Sequence, residues 1–389
     1  MKVSTLKKIL IVASVVSFIE WFNKENVDFL SEQCSCEVHI ACNFDYTNDT
    51  DPVRTKAYID KLITQGIVLH NLSFARSPLS FGNVSVYWQL RKIIETHRFD
   101  LIHCHTPTAS VITRLAARNA RKNGSVVMYT CHGFHFHKAS PLKNWIIYYP
   151  VEKYLSRFCD YLVTINQEDF SRAKQFHCKN VRYIPSVGVD IQKIQSITID
   201  KAKKRASIGV TSDCFLIISA GELIPRKNHE VIIRALAQLN NPNIYYAIAG
   251  KGPLKEYLES LSEKLGVENH VKLLGFRTDI FELYHASDLC AFPSKIEGLG
   301  MAGIEAMAAG IPLISSNVHG ITDYVRNGET GFSFSPSDTQ GFANAIEQFF
   351  SNPSLCNSMS EKCCAAVQCY ELNHALEVMW SIYTEILSN

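Results

Sequence analysis

Short apolar runs recur along the first half of the chain, and each is followed by a stretch in which apolar positions return at helical spacing. The runs, in order, are ILIVAS, EVHIAC, IVLHNL, LIHCH, VVMYTCH, YLVTIN and VRYIP. Almost wholly apolar runs that alternate with helices are typical of buried parallel strands. The first half is therefore predicted to form an open, mostly parallel α/β sheet, on which ligands bind at the carboxyl ends of the strands.

The same pattern restarts in the second half, with the runs CFLIISAGEL, IYYAIAGKG, VKLLGF, LCAFPS, IPLISS and GFSFSP. Helical stretches separate these runs, so a second doubly wound sheet is predicted. The boundary between the two domains is placed near residue 195, and the charged run from Lys201 to Arg205 is interpreted as a solvated linker helix. The last stretch, 373–389, has the spacing of an amphipathic helix that packs on one of the domains.

The first residues of the chain allow two interpretations. MKVSTLKK followed by ILIVASVVSFI resembles a signal peptide, although no clear cleavage site of small residues follows. The apolar run is also too short to span a bilayer. Because a second apolar run begins at Glu37, we favour a buried first strand from Lys8 to Ser14 that feeds a helix.

Composition narrows the class of protein. A chain of 389 residues with 47% hydrophobic content is long enough for two cores. A net charge of +2 argues against nucleic acid as a partner. The 13 cysteines are odd in number and lack paired zinc spacing, so they are interpreted as buried or incidental thiols in a reducing compartment rather than as metal or redox sites.

The stretch PSKIEGLGMAGIEAMAAGIPLISS, from Pro293 to Ser316, carries the strongest chemical pattern. Glu297 and Glu305 stand in it with seven residues between them, and the intervening glycines let a ligand approach the backbone. The amides at a helix N-terminus favour anions, and a carboxylate accepts hydrogen bonds from hydroxyl groups. The stretch therefore suits a molecule with a phosphate part and a polyol part, such as a nucleotide sugar.

Three further strand-to-helix turns lie in the second half, at GELIPRKN, AGKGPL and LLGFRTDI. Arg226 and Lys227 in the first turn are cations that can meet a diphosphate. Phe276 and Arg277 in the third turn follow a strand, where the backbone can contact the edge of a base. Each turn alone also fits an ordinary strand–helix connection. Three of them in one domain, beside the stretch with Glu297 and Glu305, indicate a nucleotide-binding site.

Histidines stand at the ends of two strands in the first half, His103 and His105 at one and His132 at the next. His132 belongs to TCHGFHFH, for whose three histidines a metal site is one interpretation. The stretch lacks a recognised ligand spacing, so no metal is expected there. We interpret His132 as a hydrogen-bonding partner of a sugar hydroxyl or a phosphate, with a purely structural loop histidine as the alternative.

The segment from Lys138 to Phe158 interleaves aromatic and basic residues. Pro150 is expected to break or kink its helix. Such a segment suits an anionic membrane surface, where aromatic rings lie at the level of the lipid headgroups. The alternative interpretation is an ordinary domain face in which the aromatic rings are buried.

On these motifs the sequence resembles glycosyltransferase family 4, whose members are retaining enzymes of the two-domain GT-B architecture. PSKIEGLGMAGIEAMAAGIPLI matches the family's signature of two glutamates separated by seven residues. GELIPRKN, AGKGPL, VKLLGFRTDI and NGETGF occur in the family's order and spacing, and the resemblance covers nearly the whole chain. TCHGFHFHKASPLKNWIIYYPVEKYLSR and the following INQEDF are similar to bacterial capsular and exopolysaccharide transferases.

The resemblance implies two Rossmann-like doubly wound domains that face each other across a cleft. The first, 1–195, would be the acceptor-side domain, and it would include 375–389 because the last helix of the family typically crosses back to it. The second, 196–374, would bind the nucleotide sugar. No metal and no cofactor are expected, since the UDP-sugar is a substrate.

The resemblance also implies a role for each site residue. Glu305 would accept hydrogen bonds from the ribose, and Glu297 would hold hydroxyls of the donor sugar. Lys227 with Arg226 would neutralise the diphosphate, and His132 would lie by the donor sugar. The other donor-binding positions are Gly221, the backbone amides of Gly298, Leu299, Gly300 and Met301, and Phe276 and Arg277 beside the base.

The implied function is transfer of a UDP-linked hexose or N-acetylhexosamine to a saccharide acceptor, in capsular or exopolysaccharide synthesis. The acceptor would be carried on a lipid such as undecaprenyl diphosphate, and the protein would be cytoplasmic, in peripheral contact with the inner face of the plasma membrane through 138–158. A nucleotide-sugar epimerase of the same architecture and a non-catalytic saccharide-binding protein are the alternatives.

Two departures from the family bear on these roles. Glu222 stands where many members carry arginine, and a second carboxylate near a diphosphate is unfavourable, so Glu222 is expected to point away and Arg226 to substitute. The region after the first strand reads SVVSFIEWFN, without the Gly-Gly turn of many members. That turn normally lies near the acceptor and the donor phosphate.

Overall fold

The computed structural model describes residues 6–45, 52–75, 80–185 and 187–388. Contacts divide the chain into two compact units, Met1–Val187 with His374–Asn389, and Gly188–Asn373. This division falls a few residues before the position near 195 that the sequence suggested. Residues 1–5, which begin the signal-peptide interpretation, lie outside the described ranges.

The first unit contains, in its described residues, one parallel sheet of seven strands in the order β3-β2-β1-β4-β5-β6-β7. The strands are β1 Lys8–Val15, β2 Glu37–Asn43, β3 Val68–Asn71, β4 Leu101–Cys104, β5 Val126–Cys131, β6 Tyr161–Thr164 and β7 Asn180–Tyr183. Each of the seven apolar runs of the first half is one of these strands, so the predicted sheet is confirmed. The strand beginning at Lys8 is also confirmed, and it pairs in parallel with β2 and β4.

The second unit contains a parallel sheet for which the described residues supply six strands, in the order β10-β9-β8-β11-β12-β13. They are β8 Phe215–Ala220, β9 Ile244–Ala249, β10 Val271–Gly275, β11 Leu289–Phe292, β12 Leu313–Ser316 and β13 Gly331–Phe334. These are the six predicted runs. In each sheet the chain first adds strands on one side of the first strand, β2 and β3 beside β1 and β9 and β10 beside β8. It then returns and adds the remaining strands on the other side, which is the doubly wound arrangement.

The helices connect successive strands. They are α1 Val16–Phe22, α2 Lys24–Asp28, α3 Pro52–Thr64, α4 Gly82–His97, α5 Pro107–Ala116, α6 Arg118–Lys122, α7 Leu142–Leu155, α8 Gln167–Ala173, α9 Ile191–Gln195, α10 Lys201–Ala206, α11 His229–Leu239, α12 Lys255–Lys264, α13 Ile280–Ala286, α14 Met301–Ala308, α15 Thr339–Ser351, α16 Pro353–Val367 and α17 Leu372–Leu387. Among the described helices, none combines the length and the hydropathy that crossing a bilayer requires.

The core of each unit lies on both faces of its sheet. Ile9, Leu10, Ile11 and Val12 of β1 are all fully buried. Successive side chains of a strand point to opposite faces, so burial of all four means that packing covers the sheet on both sides. This explains why the strands read as continuous apolar runs rather than as alternating patterns.

The C-terminal helix α17 packs within the first unit, whereas its amphipathic spacing predicted only that it packs on one of the two domains. The hydroxyl of Tyr383 lies 2.8 Å from Nδ1 of His103 on β4. The ring of Trp380 stacks on Phe29 with centroids 4.6 Å apart. The last residues of the chain therefore complete the core around the first sheet.

The interpretation of Lys201–Arg205 as a solvated linker was wrong. Arg205 is buried in the second unit, where its guanidinium donates to the carbonyl of Ala286 at 2.7 Å and to the carboxylate of Asp288 at 2.6 Å. It also donates to the carbonyls of Ser212 and Cys214. Basic residues are mostly exposed, so a run of them predicts a solvated segment. The sequence pattern does not show that Arg205 has carbonyl and carboxylate partners in distant segments.

Of the two outcomes expected at Pro150, a break or a kink, the break was wrong, because α7 continues through it from Leu142 to Leu155. Proline removes the hydrogen bond to the carbonyl four residues earlier. Here that carbonyl belongs to Ile146. Because Ile146 is 67% exposed, water can take the place of the missing donor. Helix α7 therefore presents one uninterrupted surface.

Replacing Arg205 by alanine is expected to lower the free energy of unfolding by about 2 to 4 kcal/mol, because Asp288, the buried carbonyl of Ala286 and the partly buried carbonyls of Ser212 and Cys214 lose their donor. Chemical denaturation monitored by circular dichroism measures the change. The matched control is Lys203→Ala, at an exposed lysine on the same helix, which should be near neutral. Equal stability of both variants would restore the linker interpretation.

Candidate active site

Two loops at the carboxyl ends of neighbouring strands form the centre of the candidate site. One follows β8 and spans 221–228, and the other follows β11 and spans 293–300. The amide of Lys295 donates to the carbonyl of Arg226 at 2.8 Å, and the side chain of Asn228 donates to the carbonyl of Pro293 at 3.0 Å. These bonds hold the two loops side by side, although their residues are about seventy positions apart in sequence.

The paired loops bring three predicted site residues into one ion cluster. Nζ of Lys227 lies 2.6 Å from Oε1 of Glu297, and Arg226 reaches Oε2 at 3.1 Å. Glu297 is only 7% exposed. Burial would raise the pKa of Glu297, but Lys227 and Arg226 outweigh it and leave the pKa below its usual value. The ionised cluster therefore carries one net positive charge, which suits an anionic ligand.

Close backbone approach shapes the floor beside Lys227. A Cβ on Gly250 would stand 1.9 Å from the carbonyl oxygen of Gly221, and a Cβ on Gly221 would stand 3.2 Å from Cε of Lys227. The amide of Gly221 donates to the carbonyl of Ala249 at 3.0 Å. Glycine at both positions lets the turns after β8 and β9 touch, and it leaves room for the lysine side chain.

The segment between Glu297 and α14 is folded tightly against an aromatic support. Gly300 has φ of 88°, and a Cβ there would meet the ring of Phe292 at 2.5 Å. The hydroxyl of Tyr324 donates to the carbonyl of Gly300 at 3.2 Å, and a Cβ on Gly303 would approach that hydroxyl to 2.6 Å.

The segment with the predicted positions 298–301 thus leads directly into the N-terminus of α14. Within it, Leu299 is buried and Met301 is half-buried. Backbone amides in the first turn of a helix have no partner inside the helix, and the helix dipole is positive there. The positive end of the α14 dipole therefore lies next to the ion cluster.

Glu305 lies about one turn along α14 and differs electrostatically from Glu297. It is half-buried, and desolvation raises its pKa to about 7, although the neighbouring Tyr284 hydroxyl and Lys227 oppose part of the rise. Two carboxylates in one motif thus have pKa values displaced in opposite directions. Glu297 is matched by two cations, whereas Glu305 has no comparable compensation for its loss of solvation.

Phe276 and Arg277 occupy the turn after β10, as predicted. Phe276 is 63% exposed. The guanidinium of Arg277 donates to both oxygens of Asp279, at 2.8 and 2.6 Å. Arg277 and Lys204 lower the pKa of Asp279 to about 2, with Arg277 the larger influence and burial opposing them. Arg277 is therefore held in place by its own turn.

The departure at Glu222 has a simple local explanation. Glu222 is exposed, whereas Arg226 and Lys227 direct their ion pairs to Glu297. The backbone carbonyl of Glu222 lies 3.2 Å from Nε2 of the buried His229. The chain thus turns at Glu222 so that its carbonyl, rather than its carboxylate, takes part in the supporting structure.

His132 belongs to the first unit and lies in a histidine-rich cavity. Its Nε2 is 3.2 Å from Nδ1 of His105, and its ring meets Phe18 edge-on at 4.8 Å. Burial lowers the pKa of His132 to about 4, so the ring is neutral near pH 7. The cavity measures about 20 Å³, room for about one water molecule, and is bordered also by Thr130 and Met379.

The metal interpretation of TCHGFHFH finds no support in the geometry. Among the described residues, the group of histidines close enough to share an ion is His39, His70 and His97, and it includes none of the three in that stretch. The side chain of His137 is fully buried and that of His135 packs against Tyr148.

Sequence reasoning missed the residues that support the ion cluster. His229 is buried, and its Nδ1 lies 3.1 Å from the hydroxyl of Tyr246, which in turn lies 2.8 Å from Ser219. Asn228 bridges the loops after β11 and β13 by donating to Pro293 and Pro336. Asn228 ends the quoted turn GELIPRKN and His229 follows it, but no pattern distinguishes a buried polar partner from an exposed one.

Comparison with known proteins places these features in context. The family model described as Glycosyl transferases group 1 matches residues 200–363, and the one described as Glycosyltransferase Family 4 matches residues 30–193. The chain is 36% identical to the putative glycosyltransferase EpsD of Bacillus subtilis strain 168, over 97% of this chain and 96% of that one.

Two further matches are more distant. The UDP-Gal:alpha-D-GlcNAc-diphosphoundecaprenol alpha-1,3-galactosyltransferase of Escherichia coli is 28% identical over 70% of this chain and 72% of that one. The crystal structure of Anabaena HepE in complex with UDP superposes with a TM-score of 0.76 at 23% identity, over 99% of this chain and 100% of that one. The second match supports the fold.

Replacing Glu305 by glutamine is expected to stabilise the protein above pH 7. The raised pKa means that the folded state holds a proton that the unfolded state has already lost, so wild-type stability falls as pH rises from about 4.5 to about 7. At pH 8, Glu305→Gln should gain on the order of 1 to 3 kcal/mol, and below pH 5 the gain should fade.

Urea denaturation across that pH range, in the absence of nucleotide, measures the difference. Glu361→Gln replaces an exposed glutamate of the same unit and should show no such pH dependence. A difference between Glu305→Gln and wild type that stays constant from pH 5 to pH 8 would contradict the electrostatic account of Glu305.

Proposed function

The chain belongs to glycosyltransferase family 4 and is a glycosyltransferase of the GT-B fold, and from this premise we propose that it is a retaining enzyme that uses a UDP-sugar as donor. The sugar is a hexose or an N-acetylhexosamine. The acceptor is a saccharide carried on a lipid diphosphate, and the product enters a bacterial exopolysaccharide or capsule.

The ion cluster of Arg226, Lys227 and Glu297 is the observation that carries the proposal. Cleavage of the donor leaves negative charge on a nucleoside diphosphate and positive charge on the sugar ring. The cluster offers a net positive charge and lies beside the N-terminus of α14. Donors fixed in advance at the place where charge develops stabilise a transition state strongly. This supports diphosphate departure without a metal ion.

The two glutamates have separate tasks in the proposed mechanism. Glu297 orients Lys227 and Arg226 in the free protein, and it accepts hydrogen bonds from hydroxyls of the donor sugar when the diphosphate takes over the cations. Glu305 accepts hydrogen bonds from the ribose hydroxyls. Its elevated pKa fits this task, because two hydroxyl donors stabilise a carboxylate that the empty site leaves poorly solvated.

Retention of configuration follows from attack on the same face of the sugar. The acceptor hydroxyl is deprotonated by the departing phosphate, so no protein base is assigned. Glu297 is poorly suited to act as a covalent nucleophile, because two cations at 2.6 and 3.1 Å reduce the basicity of both its oxygens. His132, neutral near pH 7, is assigned to a hydroxyl or phosphate of the donor.

The names of two similar proteins support the choice of substrates. HepE of Anabaena was crystallised with UDP, which supports a uridine nucleotide as the donor. The Escherichia coli relative is described as acting on a sugar attached to diphosphoundecaprenol. A lipid-linked diphosphate acceptor here requires the protein to work at a membrane surface, which is the cytoplasmic face in this proposal.

Helix α7 supplies a surface suited to that membrane. Its exposed large apolar residues are Leu142, Ile146, Ile147, Tyr148, Val151 and Tyr154. Lys143 and Arg157 on the same segment are also exposed and provide positive charge. A helix that exposes apolar and aromatic side chains beside cations binds anionic lipid surfaces. The alternative, a domain face with buried rings, fits only Trp145 and Tyr149, which pack on Phe136.

The two other candidate functions are less well supported. The matching families and relatives are described as transferases, and none of the comparisons quoted above favours a nucleotide-sugar epimerase. A non-catalytic saccharide-binding protein has no need for a buried carboxylate paired to two cations. Such a pair is costly to bury unless a charged ligand uses it.

Nucleotide release tests the assignment. The protein is incubated with a panel of UDP-sugars, with and without a lipid-diphosphate-linked saccharide, and UDP is measured. Release that depends on the acceptor is expected. An isomerised donor without an acceptor would identify an epimerase, and no reaction with any donor would leave only the binding protein.

Site variants separate binding from chemistry in the same assay. Glu305→Ala is expected to weaken UDP binding about tenfold or more, because the ribose loses a charged acceptor. Lys227→Ala should lower kcat by about 100-fold or more. Lys264→Ala, at an exposed lysine of the same unit, is the control and should change neither. Full activity of both site variants would overturn the assignment.

Membrane binding is tested by sedimentation with vesicles of phosphatidylglycerol and phosphatidylcholine at low salt. The double variant Ile146→Ser, Ile147→Ser should bind at least about tenfold more weakly, because two apolar side chains no longer enter the lipid. The matched control, Ile63→Ser with Val84→Ser, alters two exposed aliphatic residues elsewhere in the first unit and should bind like wild type. Wild-type protein that ignores the vesicles would contradict the proposal.

A further inference from the structure

Three histidines of the first unit form a cluster that the glycosyltransferase site does not use. His39 lies on β2, His70 on the edge strand β3, and His97 is the last residue of α4. One ring nitrogen from each residue lies within 4.8 Å of the other two. His39 is 1% exposed, whereas His70 and His97 are half-buried, so the cluster is open to solvent on one side.

The hydrogen bonds of His39 leave one of its nitrogens directed into the cluster. Nε2 of His39 lies 2.9 Å from a carboxylate oxygen of Glu37, which also binds Lys8 at 3.0 Å. An ionised carboxylate only accepts hydrogen bonds, so Nε2 carries the proton and Nδ1 carries a lone pair. Nδ1 faces Nε2 of His70 at 2.8 Å.

A carboxylate bound to the outer nitrogen of a histidine is the usual support of a metal-binding histidine. Such a partner fixes the tautomer, orients the ring and makes the inner nitrogen a better ligand. Packing also orients His39, because the ring of Phe99 meets it edge-on at 4.9 Å. The buried ligand is therefore fixed before any ion arrives.

The distances are close to those of a three-histidine metal site. With zinc–nitrogen bonds of about 2.0 to 2.1 Å, tetrahedral geometry separates ligand nitrogens by roughly 3.3 Å. The pair His39–His70, at 2.8 Å, has to open slightly, and His97 has to move inward. His97 ends a helix and is half-buried, so its side chain has room to adjust.

The end of α4 also favours a cation. The helix has 16 residues and ends at His97, and Arg98 follows in the left-handed conformation with φ of 54°. The last carbonyl groups of a helix carry the negative end of its dipole, so positive charge is stabilised there. The geometry points to a site in which His39, His70 and His97 bind one divalent transition-metal ion, with Zn²⁺ as its occupant and solvent as the fourth ligand.

The ion has a structural role in this proposal. It joins the edge strand β3, its neighbour β2 and the end of α4, three segments between which the described residues contain no disulfide. The strand β4 begins shortly after His97, so the cluster lies toward the amino-terminal ends of the strands, away from their carboxyl ends. The metal site is thus separate from the site of sugar transfer. It does not conflict with the expectation that sugar transfer needs no metal.

Zinc binding by the whole protein tests the proposal. The chain is produced without a histidine tag, stripped with a chelator and titrated with ZnCl₂ by calorimetry. One ion per chain is expected, with a Kd of about 1 μM or tighter. Excess zinc should raise Tm by binding the folded state alone. Cobalt(II) in place of zinc should give the absorption bands of a tetrahedral complex.

Variants connect the binding to the cluster. His97→Gln and His70→Gln should each weaken zinc binding about 100-fold and remove the rise in Tm, and Glu37→Gln should weaken binding about 10- to 100-fold. His177→Gln, at an exposed histidine of the same unit, is the control and should bind zinc like wild type. Circular dichroism verifies the folding of each variant, and the two half-buried ligands provide independent tests.

Two results would overturn the proposal. The first is stripped wild-type protein that binds no zinc and keeps its Tm when zinc is added. The second is binding that survives in a folded His97→Gln or His70→Gln variant, which would place the ion elsewhere. Either result would leave His39 and His70 as a hydrogen-bonded pair of neutral rings.

Discussion

A buried carboxylate between two cations is the interaction on which the second unit of this glycosyltransferase depends. Glu297 is almost inaccessible to solvent and remains ionised because Lys227 and Arg226 neutralise it. Removing a charge from water costs several kcal/mol, so such a cluster persists only where the surrounding structure holds its geometry. That geometry comes from two loops tied together by backbone and Asn228 hydrogen bonds.

The parallel sheet explains why this cluster forms at the strand ends. All the loops that contribute to it leave the carboxyl ends of their strands, and glycines at 221, 250, 300 and 303 let the turns and aromatic supports approach closely. The resulting site combines fixed positive charge, helix amides and a second carboxylate with a raised pKa. In the proposed function these three elements together bind the nucleotide sugar.

The sequence predicted the strands well because each is buried on both faces and therefore appears as a continuous apolar run. It also singled out Glu297, Glu305, Arg226 and Lys227 as candidate site residues from short motifs, and the structure brings Arg226, Lys227 and Glu297 into one ion cluster. It could not predict that Lys227 pairs with Glu297, because that contact depends on how two distant loops pack. The burial of Arg205 and the continuity of α7 through Pro150 were missed for the same reason. The partners of Arg205 and the solvent exposure of α7 depend on the tertiary structure.

The cluster of His39, His70 and His97 was missed for a related reason. Its members come from two strands and a helix end, with no short spacing that a motif could capture. The strand order places β3 beside β2. The register pairs His39 with Val68 and Ala41 with His70, so the two histidines lie diagonally on the same face of the sheet. Sequence patterns thus identify chemistry concentrated in one segment more readily than chemistry assembled from several.

The most direct test of the central claim is a crystal structure of the protein with UDP. The ion cluster is expected to exchange partners, so that Nζ of Lys227 lies about 2.7 to 2.9 Å from an oxygen of the diphosphate. The diphosphate should also reach the first amides of α14, and the ribose hydroxyls should bind Glu305. UDP bound elsewhere, or bound while Lys227 stays with Glu297 alone, would contradict the account.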